Sequence, residues 1–143
     1  MGPTTSANVT GHWNPGIGRI NVIAREPGNP QTIYIGSPSG GLWKTTDEGA
    51  NWLTLTDNQP VLGVSAIEID YTNTDIIYIG TGDKDAADNY SVGVLKSTDG
   101  GTTWNTTGLD WTINQNRTIA KLIMNPDDPS ILFAATTNGL YKT

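Results

Sequence analysis

The sequence predicts an all-β protein assembled from about three copies of one four-stranded antiparallel unit. Three observations carry that expectation. A box reading Thr-Asp-x-Gly-x-x-Trp occurs twice, at residues 46–52 and 98–104, about 50 residues apart. Near-continuous apolar runs precede each box at residues 32–36 and 76–80, and a third such run occupies residues 131–135. No long stretch carries the 3.6-residue period of a helix.

The first strand of each unit is expected at residues 19–25, 64–70 and 118–124, each closed by a Pro-, Asn- or Asp-rich turn cluster. The second strand is the apolar run, which suits a central strand covered on both faces. The third is expected at residues 41–45, 93–97 and 139–143. The box follows as a tight hairpin: its Asp carboxylate accepts backbone N–H groups and its Gly supplies the positive φ the turn needs. The Trp then opens a fourth strand at residues 52–55 and 104–107 and buries its ring against the neighbouring strands. In this reading Asp47, Gly49, Trp52, Asp99, Gly101 and Trp104 are structural.

These boxes and runs, spanning residues 18–143, resemble the Asp-box (BNR) repeat family, and within it the sortilin-like and exo-xyloglucanase-like modules of secreted bacterial proteins. The resemblance implies β-propeller blades: residues 18–57, residues 63–108, and an incomplete third at residues 117–143, after a leader at residues 1–17. It also implies a secreted or cell-surface location, and boxes lying on the rim, away from the mouth where ligands bind. About three blades make an incomplete ring, since closure takes about four or more. Residues 6–13 read as a spare strand or as a disordered leader. As a strand they would pair with residues 139–143 of another copy, so that copies close a ring as a homo-oligomer; otherwise the blades belong to a larger propeller.

A net charge of −6 argues against nucleic acid and anionic membranes as partners. There is no Cys, which excludes disulfides and thiolate metal sites, and the chain opens without a signal-peptide pattern. His12 is the single His, too few for a multi-His metal centre.

The loop at residues 80–91 carries an insertion relative to residues 36–40, and loops on rigid scaffolds are where binding sites are built. Asp83, Asp85 and Asp88 offer oxygens to Ca²⁺ but lack the spacing of a Ca²⁺-binding helix–loop–helix, and they read better as a solvated acidic loop. No other cofactor is expected. A glycan or protein ligand would use Asp83 and Asp85 with Tyr90 and Trp43 as stacking surfaces.

Xyloglucan-cleaving relatives place a carboxylate just before a Gly-Gly; here Gly40-Gly41 follow Ser37-Pro38-Ser39. Sialidases of the group converge three arginines and a tyrosine; this chain has only Arg19, Arg25 and Arg117 in all, Arg19-Ile20-Asn21 lacks the Pro of the Arg-Ile-Pro signature, and Arg25 beside Glu26 and Pro27 suits surface pairing better than a triad. No catalytic residue is therefore assigned. The expected function is a non-catalytic binding or structural module; the alternative is a fragment of a glycoside hydrolase whose remainder supplies the catalytic carboxylates.

Overall fold

The structure, a computed structural model, describes residues 18–85 and 90–143. The strands are β1 (Val22–Glu26), β2 (Asn29–Ser37), β3 (Gly41–Thr45), β4 (Leu53–Thr54), β5 (Val64–Ile69), β6 (Ile77–Thr81), β7 (Gly93–Ser97), β8 (Asn105–Asp110), β9 (Ile119–Asn125), β10 (Asp128–Thr136) and β11 (Gly139–Lys142). They form two four-stranded sheets, β1-β2-β3-β4 and β5-β6-β7-β8, and a three-stranded sheet β9-β10-β11. Every pairing is antiparallel. The innermost strands touch in succession, β1 on β5 and β5 on β9, so the sheets stack face to face as β-propeller blades.

Two cores lie between the sheets. Tyr34 and Leu42 of the first meet Val64, Ile67, Ile69, Ile77, Ile79 and Leu95 of the second. Ala66 and Val94, on the second sheet's other face, meet Ile119, Leu122, Met124, Leu132 and Ala134 of the third, with Trp111 closing one end. The middle sheet is thus covered on both sides, the physical reason its strands lack polar alternation. Gly80 permits the close approach: a Cβ there would lie 2.5 Å from Ile119 Cγ2.

One cross-strand pair recurs in all three sheets. Lys44, Lys96 and Lys142 oppose Tyr34, Tyr78 and Phe133 in register. Their ammonium groups sit 5.2, 5.2 and 5.9 Å from the ring centroids.

Several expected boundaries shift. The first strand begins at Val22 rather than residue 19 because Arg19 turns away to an ion pair with Asp83. The fourth strands are Leu53–Thr54 and Asn105–Asp110, so both box tryptophans sit just before their strands. The indole N–H groups explain this: Trp52 donates to Gly49 O (3.0 Å) and Trp104 to Leu55 O (3.1 Å). β4 is short because the buried Thr56 hydroxyl takes the Leu42 N–H (2.8 Å) in place of a ladder carbonyl. A 3₁₀ turn at Ile113–Gln115, not expected from the sequence, is closed by Gln115 Oε1 accepting the Thr112 N–H (3.3 Å) and ended by Asn116 at φ 51°.

Tyr34 and Leu132 are buried, while the exposed large apolar residues include Ile23 (67%), Ile123 (48%) and Leu140 (72%). The strand expected at residues 6–13, with His12, lies outside the described residues, as does Asp88.

Candidate functional site

Antiparallel order sorts the connections to two ends. The β3–β4 and β7–β8 turns, which are the boxes, lie at one end; the β2–β3, β6–β7 and β10–β11 loops and the β4–β5 and β8–β9 connections lie at the other.

At the box end, Asp47 accepts the Asn51 N–H (2.8 Å), the Asn51 side-chain amide (2.7 Å) and the Thr45 hydroxyl (2.7 Å). Those donors, the Asn51 backbone foremost, hold its pKa down at about 2. Asp99 repeats the geometry with Thr103 and Ser97, its pKa lowered to about 2 chiefly by the Thr103 hydroxyl. Gly49 (φ 94°) and Gly101 (φ 96°) make the turns. Carboxylates already committed to this many donors are poor proton shuttles at neutral pH.

The opposite end holds a cleft of about 420 Å³ between the second and third sheets. Asp83, Lys84, Asp85, Tyr90 and Ser91 of the β6–β7 loop line it, with Ile113, Asn116, Arg117 and Thr118 of the β8–β9 connection and Thr137 of the β10–β11 turn. Tyr90 (57% exposed) and Ile113 (42%) give it open apolar surface. Arg117 stacks over the Trp111 ring at 5.8 Å, and the Trp111 indole N–H, though buried, has no acceptor among the described residues.

The base of the β6–β7 loop is locked. Thr81 Oγ1 donates to Gly93 O (2.7 Å), accepts the Val92 N–H (2.9 Å) and meets Ser91 Oγ (3.0 Å). Asp83 is buried, 1% exposed, in an ion pair with Arg19, and accepts the Asn21 amide (3.2 Å) and the Asp85 N–H (3.1 Å). It ties the root of the first sheet to the loop of the second.

Of the residues singled out from sequence, Asp83, Asp85 and Tyr90 line the cleft together. Trp43 does not: it sits on β3 of the first sheet, opposite Ile35 of β2, its indole N–H donating to Gly40 O (2.7 Å). Among the described residues no three His, Cys, Asp or Glu side chains gather to hold a metal ion. Asn116, Arg117, Thr118 and Thr137 were missed, because they reach the cleft from the next sheet. The apolar Ile113 beside Trp111, inside a connection, was the one local signal for them.

No protein-family profile matches the chain. It is 30% identical over 123 residues to a xyloglucanase of a Paenibacillus species, covering 78% of this chain and 12% of that protein. Among solved structures, an ancestral GH74 enzyme superposes with a TM-score of 0.74 at 19% identity, over 87% of this chain and 17% of that one. The extracellular domain of a putative one-component system from B. thetaiotaomicron superposes at 0.59 with 21% identity, over 86% of this chain and 14% of the other. The chain therefore spans roughly an eighth to a sixth of the proteins it resembles, and these likenesses support the propeller fold.

Proposed function

We propose that the chain is a propeller segment of a secreted or cell-surface glycoside hydrolase of xyloglucanase type, and that its cleft holds a β-glucan chain. The single observation that carries this reading is the 30% identity over 123 residues to a xyloglucanase, in a chain whose boxes also fit the Asp-box repeat class. The extracellular domain of similar fold supports the location. The cleft chemistry agrees with it. Sugars are bound by aromatic faces and by convergent hydroxyls and amides, here Tyr90, Asn116, Thr118, Thr137 and Arg117.

Hydrolysis needs a general acid and a second carboxylate. Asp83 is committed to Arg19, whereas Asp85 is exposed and has no ion-pair partner among the described residues. Among the described residues Asp85 is thus the one cleft carboxylate free to meet a substrate, and its counterpart comes from beyond these residues. The test has two arms. Calorimetry of the chain with xyloglucan oligosaccharides should show binding that Tyr90→Ala weakens about tenfold. Turnover of xyloglucan by the full gene product should fall with Asp85→Asn. Absence of binding to any β-glucan defeats the cleft assignment, and turnover indifferent to Asp85→Asn removes its catalytic role.

A second reading, a non-catalytic module binding a glycan or protein, is favoured by one observation: Ser37-Pro38-Ser39 stands where xyloglucanase-like relatives are expected to carry a carboxylate. Binding without turnover in the full gene product selects it.

A further inference from the structure

Cations are scarce in this chain, 8 Lys and Arg against 14 Asp and Glu, and two of them meet in the cleft. Lys84 enters from the β6–β7 loop and Arg117 from the β8–β9 connection. Others are engaged elsewhere: Arg19 pairs with Asp83, and Lys44, Lys96 and Lys142 lie over aromatic rings. Lys84 and Arg117 have no ion-pair partner among the described residues.

Arg117 is also held in place. Its guanidinium lies 5.8 Å from the centroid of the Trp111 ring, and Trp111 is only 8% exposed, packed in the core between the second and third sheets. Its backbone is pinned as well. Thr118, the next residue, donates its N–H to Thr137 Oγ1 (3.1 Å) and accepts the Thr137 N–H at its carbonyl (3.1 Å). A guanidinium stacked on a ring keeps its N–H edge free, and its planar fork matches the two oxygens of a carboxylate. Arg117 is half-buried, which strengthens its pull on an anion by lowering the local dielectric.

The neighbouring groups set the kind of anion. Asp85 lines the same cleft and the chain carries −6 overall, so a polyanion is repelled and a single carboxylate is what two cations beside one carboxylate balance. The exposed Tyr90 and Ile113 suit a ring face, not a bare ion. A sugar ring that carries one carboxylate meets both conditions.

We propose that the cleft prefers an acidic glycan, in which a uronic acid unit sets its carboxylate on the Arg117 guanidinium while a sugar face rests on Tyr90. Lys84 adds to the attraction without fixing the geometry. The inference rests on the glycan reading of this cleft and adds to it a choice among ligands, the carboxylated chain over the neutral one of equal length.

The test is calorimetry of the whole chain with cellotetraose and with the same tetramer carrying one glucuronic acid unit. The acidic tetramer should bind about tenfold more tightly. That margin should shrink in 0.5 M NaCl, a readout that needs no variant. Arg117→Gln should bring the two affinities together, Arg117→Lys should keep only part of the margin, and Lys84→Gln, at an exposed position, should reduce it. Equal binding of the two tetramers by the parent chain overturns the preference and leaves the glycan reading standing. Binding of neither defeats both. A margin that survives Arg117→Gln removes Arg117 as its source. Inorganic phosphate binding as tightly as the acidic tetramer makes the cleft a plain anion site. If only Asp88→Asn prefers the acidic tetramer, the loop's own carboxylate already occupies Arg117, and the proposal falls.

Discussion

Arg19 and Asp83, 64 residues apart in the chain, form an ion pair in which the carboxylate is 1% exposed and the guanidinium side chain 47%. The pair joins the strand that begins the first sheet to the loop that walls the cleft. Removing one partner of a buried pair costs more than the pair contributes, because it strands the other charge. The half-open guanidinium moderates that cost. Arg19→Met is expected to lower stability by about 1–3 kcal/mol, and Asp83→Asn should offset part of it in the double variant. Urea unfolding of the four proteins gives the coupling; additive losses would mean the pair does not bind the two sheets.

The same pair changes how the cleft carboxylates are to be tested. Alanine at Asp83 would loosen the loop as well as remove a charge, so loss of activity there says nothing about catalysis. Asp85 is the informative position.

How much of this was legible in the sequence depended on whether the cause was local. β3 and β7 fall at the expected Gly41–Thr45 and Gly93–Ser97, since a Gly at positive φ starts each and a box ends it. β4 was misjudged because Thr56, beyond its expected end, takes over the Leu42 N–H. The β6–β7 loop stood out by its insertion. Its partners Arg117 and Thr137 did not, because they converge only when the third sheet packs on the second. The role of Arg19 was hidden for the same reason.

Acid should unfold the protein partly through its boxes. Asp47 and Asp99 titrate at about 2 in the fold against 3.8 for the free group, so each favours the folded state above about pH 4. That contribution is lost as pH falls through the interval toward 2. Asp99→Asn should therefore lower the melting temperature at pH 7 and converge with the parent near pH 2. A gap of constant size across that range would show that the charge of Asp99 is not what the turn uses.

Calcium is expected to leave the protein unchanged. Ligation through Asp83 would have to displace Arg19 and the Asn21 amide, which already compensate that carboxylate. A ligand that binds only the folded state raises its melting temperature by mass action. Thermal scans in millimolar Ca²⁺ and in EDTA should coincide; a rise of several degrees in Ca²⁺ would mean that Asp85 and Asp88 form a site the ion pair does not prevent.

Three glycines separate backbone strain from packing. Gly49 and Gly101 have nearly the same φ, 94° and 96°, so alanine at either carries the same left-handed strain, on the order of 1 kcal/mol. They differ in surroundings. A Cβ on Gly49 meets only the Trp52 ring at 3.5 Å, whereas one on Gly101 lies 2.7 Å from Leu55 Cδ1. Gly101→Ala should therefore lower stability more than Gly49→Ala, by about another 1 kcal/mol. Gly80 has no such strain, but its Cβ would stand 2.5 Å from Ile119 Cγ2 and 3.2 Å from Ala66 Cβ, in the core between two sheets. Gly80→Ala is expected to cost about 1–3 kcal/mol by overpacking alone. The check is Ile119→Ala, which removes the nearest clashing atom, Cγ2, though the retained Cβ stays 2.8 Å from the new methyl, and which has its own cavity cost of about 2–5 kcal/mol. In the double variant the new methyl sits where the isoleucine was, so the combined loss should fall short of the sum by more than 0.5 kcal/mol, the coupling expected of residues in contact. Strict additivity would mean that the second and third sheets do not meet at this point.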